Sequence, residues 1–231
     1  MNSTVRTFES HQAVGLGFNL PARMTALRAG RGLALVSPTR IGDELAEALT
    51  AMGPVKWLVA PNLFHHLHIG EARRRFPQAL LLAPRALAKK RPDLTVDHAL
   101  EDGLPGELAE HVTHVPLQGA DRICEHVLFD RASGTLVATD LVFNVTKPEG
   151  LVTKLILSLV GANGCLAQSR SWRFFTNDDA RFRESLAAVL ELPILRLVMA
   201  HGEVVEEHAH DLLRQALGFA ATPAALTARV T

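Results

Sequence analysis

Residues 57–60 read Trp-Leu-Val-Ala, Pro61 and Asn62 close that apolar run, and three imidazoles follow at His65, His66 and His68. A short apolar stretch fenced by proline reads as a buried strand that emerges at a sheet edge. Such edges are where α/β proteins place metal ligands and acid/base groups.

The flanking sequence extends the same alternation. Over 24–36, apolar residues alternate with small or polar ones around Arg28 to Gly32, which predicts two short antiparallel strands joined by a glycine turn. Leu45, Leu49 and Met52 mark a helix over 41–52, ended by Gly53 and Pro54. A strand over 55–60, a helical segment over 71–76 and a strand over 79–82 come next. Strand-like runs at 112–116, 126–130 and 135–139 follow, the last two joined by a four-residue hairpin turn, 131–134. Phe182, Leu186, Val189 and Leu190 lie on one face of a helix over 178–191 that begins behind Asp178. A strand over 194–199 and a helix over 206–217 complete the pattern. The expectation is one α/β domain over 1–219, with a loose tail at 220–231.

With 231 residues and 48% hydrophobic composition, the chain can bury a sizeable core. Lys+Arg and Asp+Glu number 24 each, so no net field draws it to nucleic acid or to an anionic membrane. A small-molecule substrate or ligand is the expected partner, and a homodimer is compatible with the apolar, glycine-bearing stretch 144–175, which reads as a lid or dimer surface. The longest apolar stretch, 151–166, carries Lys154 and Asn163 and falls short of the roughly 20 residues that a span requires. Residues 1–9 hold no apolar signal region, and Cys124 and Cys165 form no paired motif. These features predict a cytoplasmic protein.

Three predicted strands end at ligand-type residues: His65, His66 and His68 after 55–60, Asp140 after 135–139, and His201 after 194–199. Imidazoles with a carboxylate suit zinc first, then iron or manganese, over calcium or magnesium. A helical turn would put His65 and His68 on one face, whereas an extended chain would pair His66 with His68. The plainer readings are imidazoles bonded to carbonyls and an Asp140 that caps whatever follows it. His208 and His210, beside Glu206, Glu207 and Asp211, read as a solvated face. Cys124 beside Glu125 and His126 is a poor nucleophile candidate, since neighbours on a strand face opposite ways. Trp172, Phe174 and Phe175 read as core or lid contacts.

Ala-Pro-Asn-x-x-His-His at 60–66, Thr-Asp-Leu-x-Phe at 139–143 and Ala-His-Gly-Glu at 200–203 resemble motifs of the metallo-β-lactamase-fold superfamily, in a branch known as a domain of unknown function. The resemblance spans about 19–217. It implies an αββα sandwich with a metal site at one sheet edge, and hydrolysis of an ester, lactone, lactam, thioester or phosphodiester by metal-activated water. Asp140 matches the superfamily's bridging aspartate and His201 its last histidine ligand, so both are expected to be catalytic. The main His-x-His-x-Asp-His signature is degenerate. One register leaves His65 and His68 in place, with Leu63 and Leu67 as departures; another sets Asn62 on the first histidine and His66 on the aspartate. Ser37 stands where an aspartate is usual, and Leu117-Gln118-Gly119 where a histidine is. The expectation is at most one metal, held by Asp140, His201 and one or more of His65, His66 and His68. The alternative is a binding or scaffold module that keeps the fold without metal.

Overall fold

A computed structural model describes residues 4–15 and 18–219, so the expected tail at 220–231 lies outside the described residues. Six strands form the first sheet in sequential order: β1 (Val5–Gly15), β2 (Phe18–Ala29), β3 (Gly32–Val36), β4 (Val55–Val59), β5 (Leu80–Ala83) and β6 (His98–Ala99). The first three pair antiparallel, and β3 to β6 run parallel. The parallel steps need crossovers, which α1 (Asp43–Met52), α2 (Ile69–Arg75) and α3 (Leu87–Lys90) supply. A 3₁₀ turn and α4 (Gly106–His111) lead to the second sheet, of β7 (Val112–Pro116), β8 (His126–Asp130), β9 (Thr135–Val137) and, paired parallel to β9, β12 (Arg196–Val198).

Period-two alternation sorts the side chains into three layers of core. Ala34, Val36, Trp57, Val59 and Leu82 of the first sheet meet Leu128, Val137 and Val198 of the second. The opposite-facing Leu33, Leu35, Leu58 and Leu81 pack under α1, α2 and α3 with Leu49, Ile69 and Leu87. Val127, Phe129, Leu136 and Leu197 pack under α7 (Asp179–Leu190) and α8 (Ala209–Ala216) with Phe182, Leu186, Val189 and Leu213. The layers are therefore αββα, as the resemblance implies.

Between β9 and α7 lie β10 (Phe143–Asn144) and β11 (Leu166–Ala167), paired antiparallel, α5 (Leu151–Leu159) and α6 (Trp172–Phe175). Helix α5 buries Leu157 against Leu20, Val145 and Ala162, buries Thr153 with its hydroxyl accepting from Asn19 N–H at 3.2 Å, and leaves Leu151, Leu155 and Leu159 exposed. No described helix is long and apolar enough to cross a membrane.

The sequence reading placed most elements to within three residues. It did not foresee β1, a strand with Arg6, Glu9 and His11 among its residues, whose pairing with β2 is a tertiary choice. It drew β2 too short for the same reason, because only the partner strand extends the pairing to Phe18.

Candidate metal centre

Two of the parallel strand pairs set the site. Because β3 runs alongside β4, and β9 alongside β12, all four carboxyl ends reach one edge of the sandwich. Ser37 follows β3, His65 follows β4, and Asp140 and His201 follow β9 and β12. His65, Asp140 and His201 each offer a donor atom, all within 4.8 Å of one another; no other described His, Cys, Asp or Glu joins this group.

His65 is aimed by Asn62. The Asn62 Oδ1 accepts from the backbone N–H of Phe64 and of His65, at 2.8 Å each. This asparagine turn bends the chain just past the strand. The Asn62 amide is fully buried and donates to Glu125 Oε2 at 2.6 Å, Asp140 Oδ2 at 2.8 Å and Thr139 Oγ1 at 3.1 Å. Glu125, also fully buried, accepts at Oε1 from Thr139 N, Thr139 Oγ1 and Asp140 N, at 2.9, 2.7 and 3.0 Å. These four bonds are all donated to the carboxylate, so both of its oxygens act as acceptors.

His65 Nε2 lies 3.2 Å from Asp140 Oδ2, and its Nδ1 lies 2.6 Å from Ser37 Oγ. Ser37 holds this contact with φ 53, a left-handed conformation uncommon for a residue with a side chain. His201 Nε2 lies 3.4 Å from Asp140 Oδ1, and its Nδ1 lies 2.8 Å from the Pro21 carbonyl oxygen. That carbonyl only accepts, so Nδ1 carries the hydrogen. The His201 ring is stacked on Phe143, centroids 5.1 Å apart, and tilted against His65 at 5.2 Å. Trp172 closes the floor by donating its indole N–H to the Asp140 carbonyl at 2.8 Å.

Burial works to lower the His65 pKa, but the charge and hydrogen bond of Asp140, with the Glu125 charge, outweigh it and hold it raised. For Asp140, burial works upward, and the two imidazoles override it, leaving the carboxyl far below the usual range. Burial, then the Asp140 charge, pushes the Glu125 pKa up against the hydrogen bonds of Asn62 and Thr139.

The structure places the other predicted ligands elsewhere. His66 Nδ1 accepts from Arg91 at 2.9 Å, and burial together with the Lys90 and Arg91 charges lowers its pKa. His68 occupies the N-cap position of α2, with Nδ1 3.6 Å from Glu71, and lines the outer wall of the cavity. In the loop 117–119, the Gln118 N–H is bonded to Ser185 Oγ, and the Gly119 carbonyl accepts from Asn177 and Asp178. That loop is tied to the start of α7 and contributes no ligand.

Other sequence readings find their places. The Cys124 thiol donates to the Asp121 carbonyl, and burial, with the Glu101 and Asp121 charges, pushes its pKa up to about 11, which keeps it protonated. His208 is exposed, whereas His210 bonds the Leu190 carbonyl at 2.8 Å. Trp172 is core, Phe175 packs between Trp172 and Phe64, and Phe174 is exposed. Sequence reasoning overlooked Glu125 as a site residue; its only signal was a charge ahead of the buried run 126–130.

No family model and no curated protein matches the sequence. Solved structures do match the fold. A metallo-β-lactamase from Pontibacter korlensis is 17% identical, over 94% of each chain, with a TM-score of 0.63. The metallo-β-lactamase FIM-1 from Pseudomonas aeruginosa, in its mono-zinc form, is 15% identical over 94% of this chain and 92% of that one, with a TM-score of 0.59. The metal-soaked flavodiiron core of Flv1 from Synechocystis is 15% identical over 93% of this chain and 58% of its own, with a TM-score of 0.60. A zinc lactamase and a flavodiiron protein on one scaffold show that this architecture does not choose the chemistry. At these identities the likeness is one of fold, and this chain has the metallo-β-lactamase fold.

Proposed function

We propose that the protein is a hydrolase-like metalloprotein that holds a single divalent ion on His65 Nε2, His201 Nε2 and the Asp140 carboxylate. One observation carries this reading. With its hydrogen fixed on Nδ1 by Pro21, a neutral His201 turns a lone pair toward Asp140 Oδ1 3.4 Å away. Two acceptors in that position need positive charge between them, a second ring proton or a cation.

The donor set fits an ion. Two atoms held tetrahedrally at about 2.1 Å from one zinc lie about 3.4 Å apart, and the two Asp140–imidazole separations are 3.2 and 3.4 Å. Three protein donors leave a coordination position open, the pattern of catalytic sites. Both imidazoles are braced at Nδ1, which fixes ring orientation as outer partners of metal ligands do. The Ser37 hydroxyl donates or accepts, so it serves His65 whichever nitrogen carries the hydrogen. Zinc suits this set most directly, with iron and manganese as the alternatives.

When bound, the ion supplies Lewis acidity that polarises a substrate carbonyl and makes water a nucleophile near neutral pH. The chain's own residues do the rest. Asn62 and Glu125 hold Asp140 and His65 in place, and Leu20, Phe64 and Leu67 keep one side of the cavity apolar. The substrate is a small molecule with a hydrolysable acyl or phosphoryl bond.

Elemental analysis of protein purified without chelators, joined to melting curves, tests the proposal. About one metal per chain is expected. Added metal at 100 times its Kd raises the parent Tm by roughly 5–10 °C, and leaves His201→Ala and Asp140→Ala unmoved. The competing reading, a scaffold whose His65–Asp140 pair is complete as a polar network, is favoured by their 3.2 Å contact. A metal content near zero and a Tm indifferent to zinc, iron and manganese would establish it instead.

A further inference from the structure

The cavity over Asp140 has a volume of about 200 Å³, and Leu20, Ala22, Pro38, Phe64 and Leu67 form its apolar walls. Phe64 and Leu67 are 41% and 60% exposed, so the apolar surface continues out of the cavity onto its rim. Among the described residues, no lysine or arginine lines it. Lys90 is near, but its Nζ sits 4.7 Å over the Phe64 ring and donates to the Leu63 carbonyl. His68, on the cavity wall, lies 3.6 Å from the Glu71 carboxylate.

Asp140 and Glu125 are joined through the Asn62 amide beneath the cavity, so the side chains under it are acidic rather than basic. The described cavity wall offers no lysine or arginine to the carboxylate or phosphate of a substrate, and burying either without a cation is unfavourable.

We infer that this cavity takes a neutral carboxylic ester or lactone with a short aliphatic acyl chain, and rejects phosphodiesters and other anions. The reaction rests on the metal-site reading; the ligand class rests on the cavity alone. In the hydrolysis, a water oxygen forms the new bond to the acyl carbon, and the bond from that carbon to the alkoxy oxygen breaks. One water proton goes to the leaving alcohol, so the products are an alcohol and a carboxylic acid. A 150 Å³ apolar cavity holds benzene, so about 200 Å³ accommodates on the order of eight heavy atoms, an acyl chain of four to six carbons.

Two experiments on the full chain test this. Among p-nitrophenyl esters, kcat/KM of the metal-loaded protein should rise about fourfold per added methylene from acetate to hexanoate and level off by octanoate. Bis(p-nitrophenyl) phosphate should not be hydrolysed. Equal rates on acetate and hexanoate, or faster hydrolysis of the phosphate, overturn the inference. Metal-free protein is then given hexanamide and hexanoate, matched in size and differing in charge, with binding read by ligand-observed NMR. Binding of the amide alone is expected, and Leu67→Lys, which adds a cation at the exposed rim, should admit hexanoate. Binding of hexanoate as tight as the amide, or of neither, overturns the inference. If no metal binds but the amide is still selected, the hydrolase reading fails and the ligand class stands.

Discussion

Asn62 and Asp140 meet in the floor of the site, amide Nδ2 to carboxylate Oδ2 at 2.8 Å, although they stand 78 residues apart in sequence. The same amide also reaches Glu125, and its carbonyl end bends the chain at Phe64 and His65. One side chain thus couples the turn that aims an imidazole to the carboxylate that the imidazole faces. The two halves of the sandwich are joined at this point, because Asn62 follows β4 of the first sheet and Asp140 follows β9 of the second.

Asn62→Ala removes the amide and leaves buried acceptors on Glu125 and donors at 64–65 without partners. Each orphaned buried group costs about 1–3 kcal/mol, so a loss of about 3 kcal/mol is expected in urea unfolding. Metal affinity should fall about 10- to 100-fold, as it does when an outer partner of a ligand is lost. A variant with parent stability and parent metal affinity would show that Asn62 positions nothing.

Glu125→Gln is nearly isosteric and removes a buried charge, yet it should destabilise. Both carboxylate oxygens face donors. An amide nitrogen in either place sets donor against donor, at a cost of about 3 kcal/mol. Chemical denaturation at pH 7 reads the sign, and a more stable variant would contradict the donor-only assignment around Glu125.

Gly202 has φ +101, and a Cβ there would lie 2.1 Å from the Asn144 carbonyl oxygen. The backbone in contact, where Asn144 N–H also donates to the His201 carbonyl at 3.0 Å, leaves no flexible side chain to move aside. Gly202→Ala combines left-handed strain with a backbone clash and should cost several kcal/mol, about 3 or more. It should also shift His201. Gly42→Ala is the control, since nothing lies within 4 Å of a Cβ there and its φ is −72.

His114 Nε2 and His126 Nδ1 lie 2.7 Å apart, and the rings stack at 4.9 Å. Burial lowers the His114 pKa to about 4, and burial with the neighbouring imidazole lowers that of His126 to about 3. These rings are neutral in the folded state and protonate near pH 6.5 when unfolded, so the unfolded chain binds more protons and stability falls as pH falls. The loss begins below pH 6.5 and continues toward pH 3 to 4. At pH 5 it should reach about 2 kcal/mol per ring relative to pH 8. His114→Gln should flatten this acid limb, and an unchanged slope would remove the pair as its cause.

Most of the strands were legible in the sequence, because the unbroken apolar runs at 33–36, 57–60 and 127–129 mark strands covered on both faces before any partner is known. Asp140 and His201 were legible as strand-end residues for the same reason. The choice among His65, His66 and His68 was not, since it turns on Asn62 bending the chain and on Arg91, 25 residues from His66, taking the second imidazole. Glu125 was invisible as a site residue, because a lone carboxylate has no periodicity and its four donors come from two distant segments.

The sequence by itself determined an α/β chain with ligand-type residues at strand ends and a degenerate metal signature. Only the tertiary structure decided that His65, Asp140 and His201 meet, that Pro21 sets the hydrogen of His201, and that Ser37 braces His65. Local patterns report what a segment buries. Convergence depends on which strands run parallel, and that pairing is chosen by contacts between segments far apart along the chain.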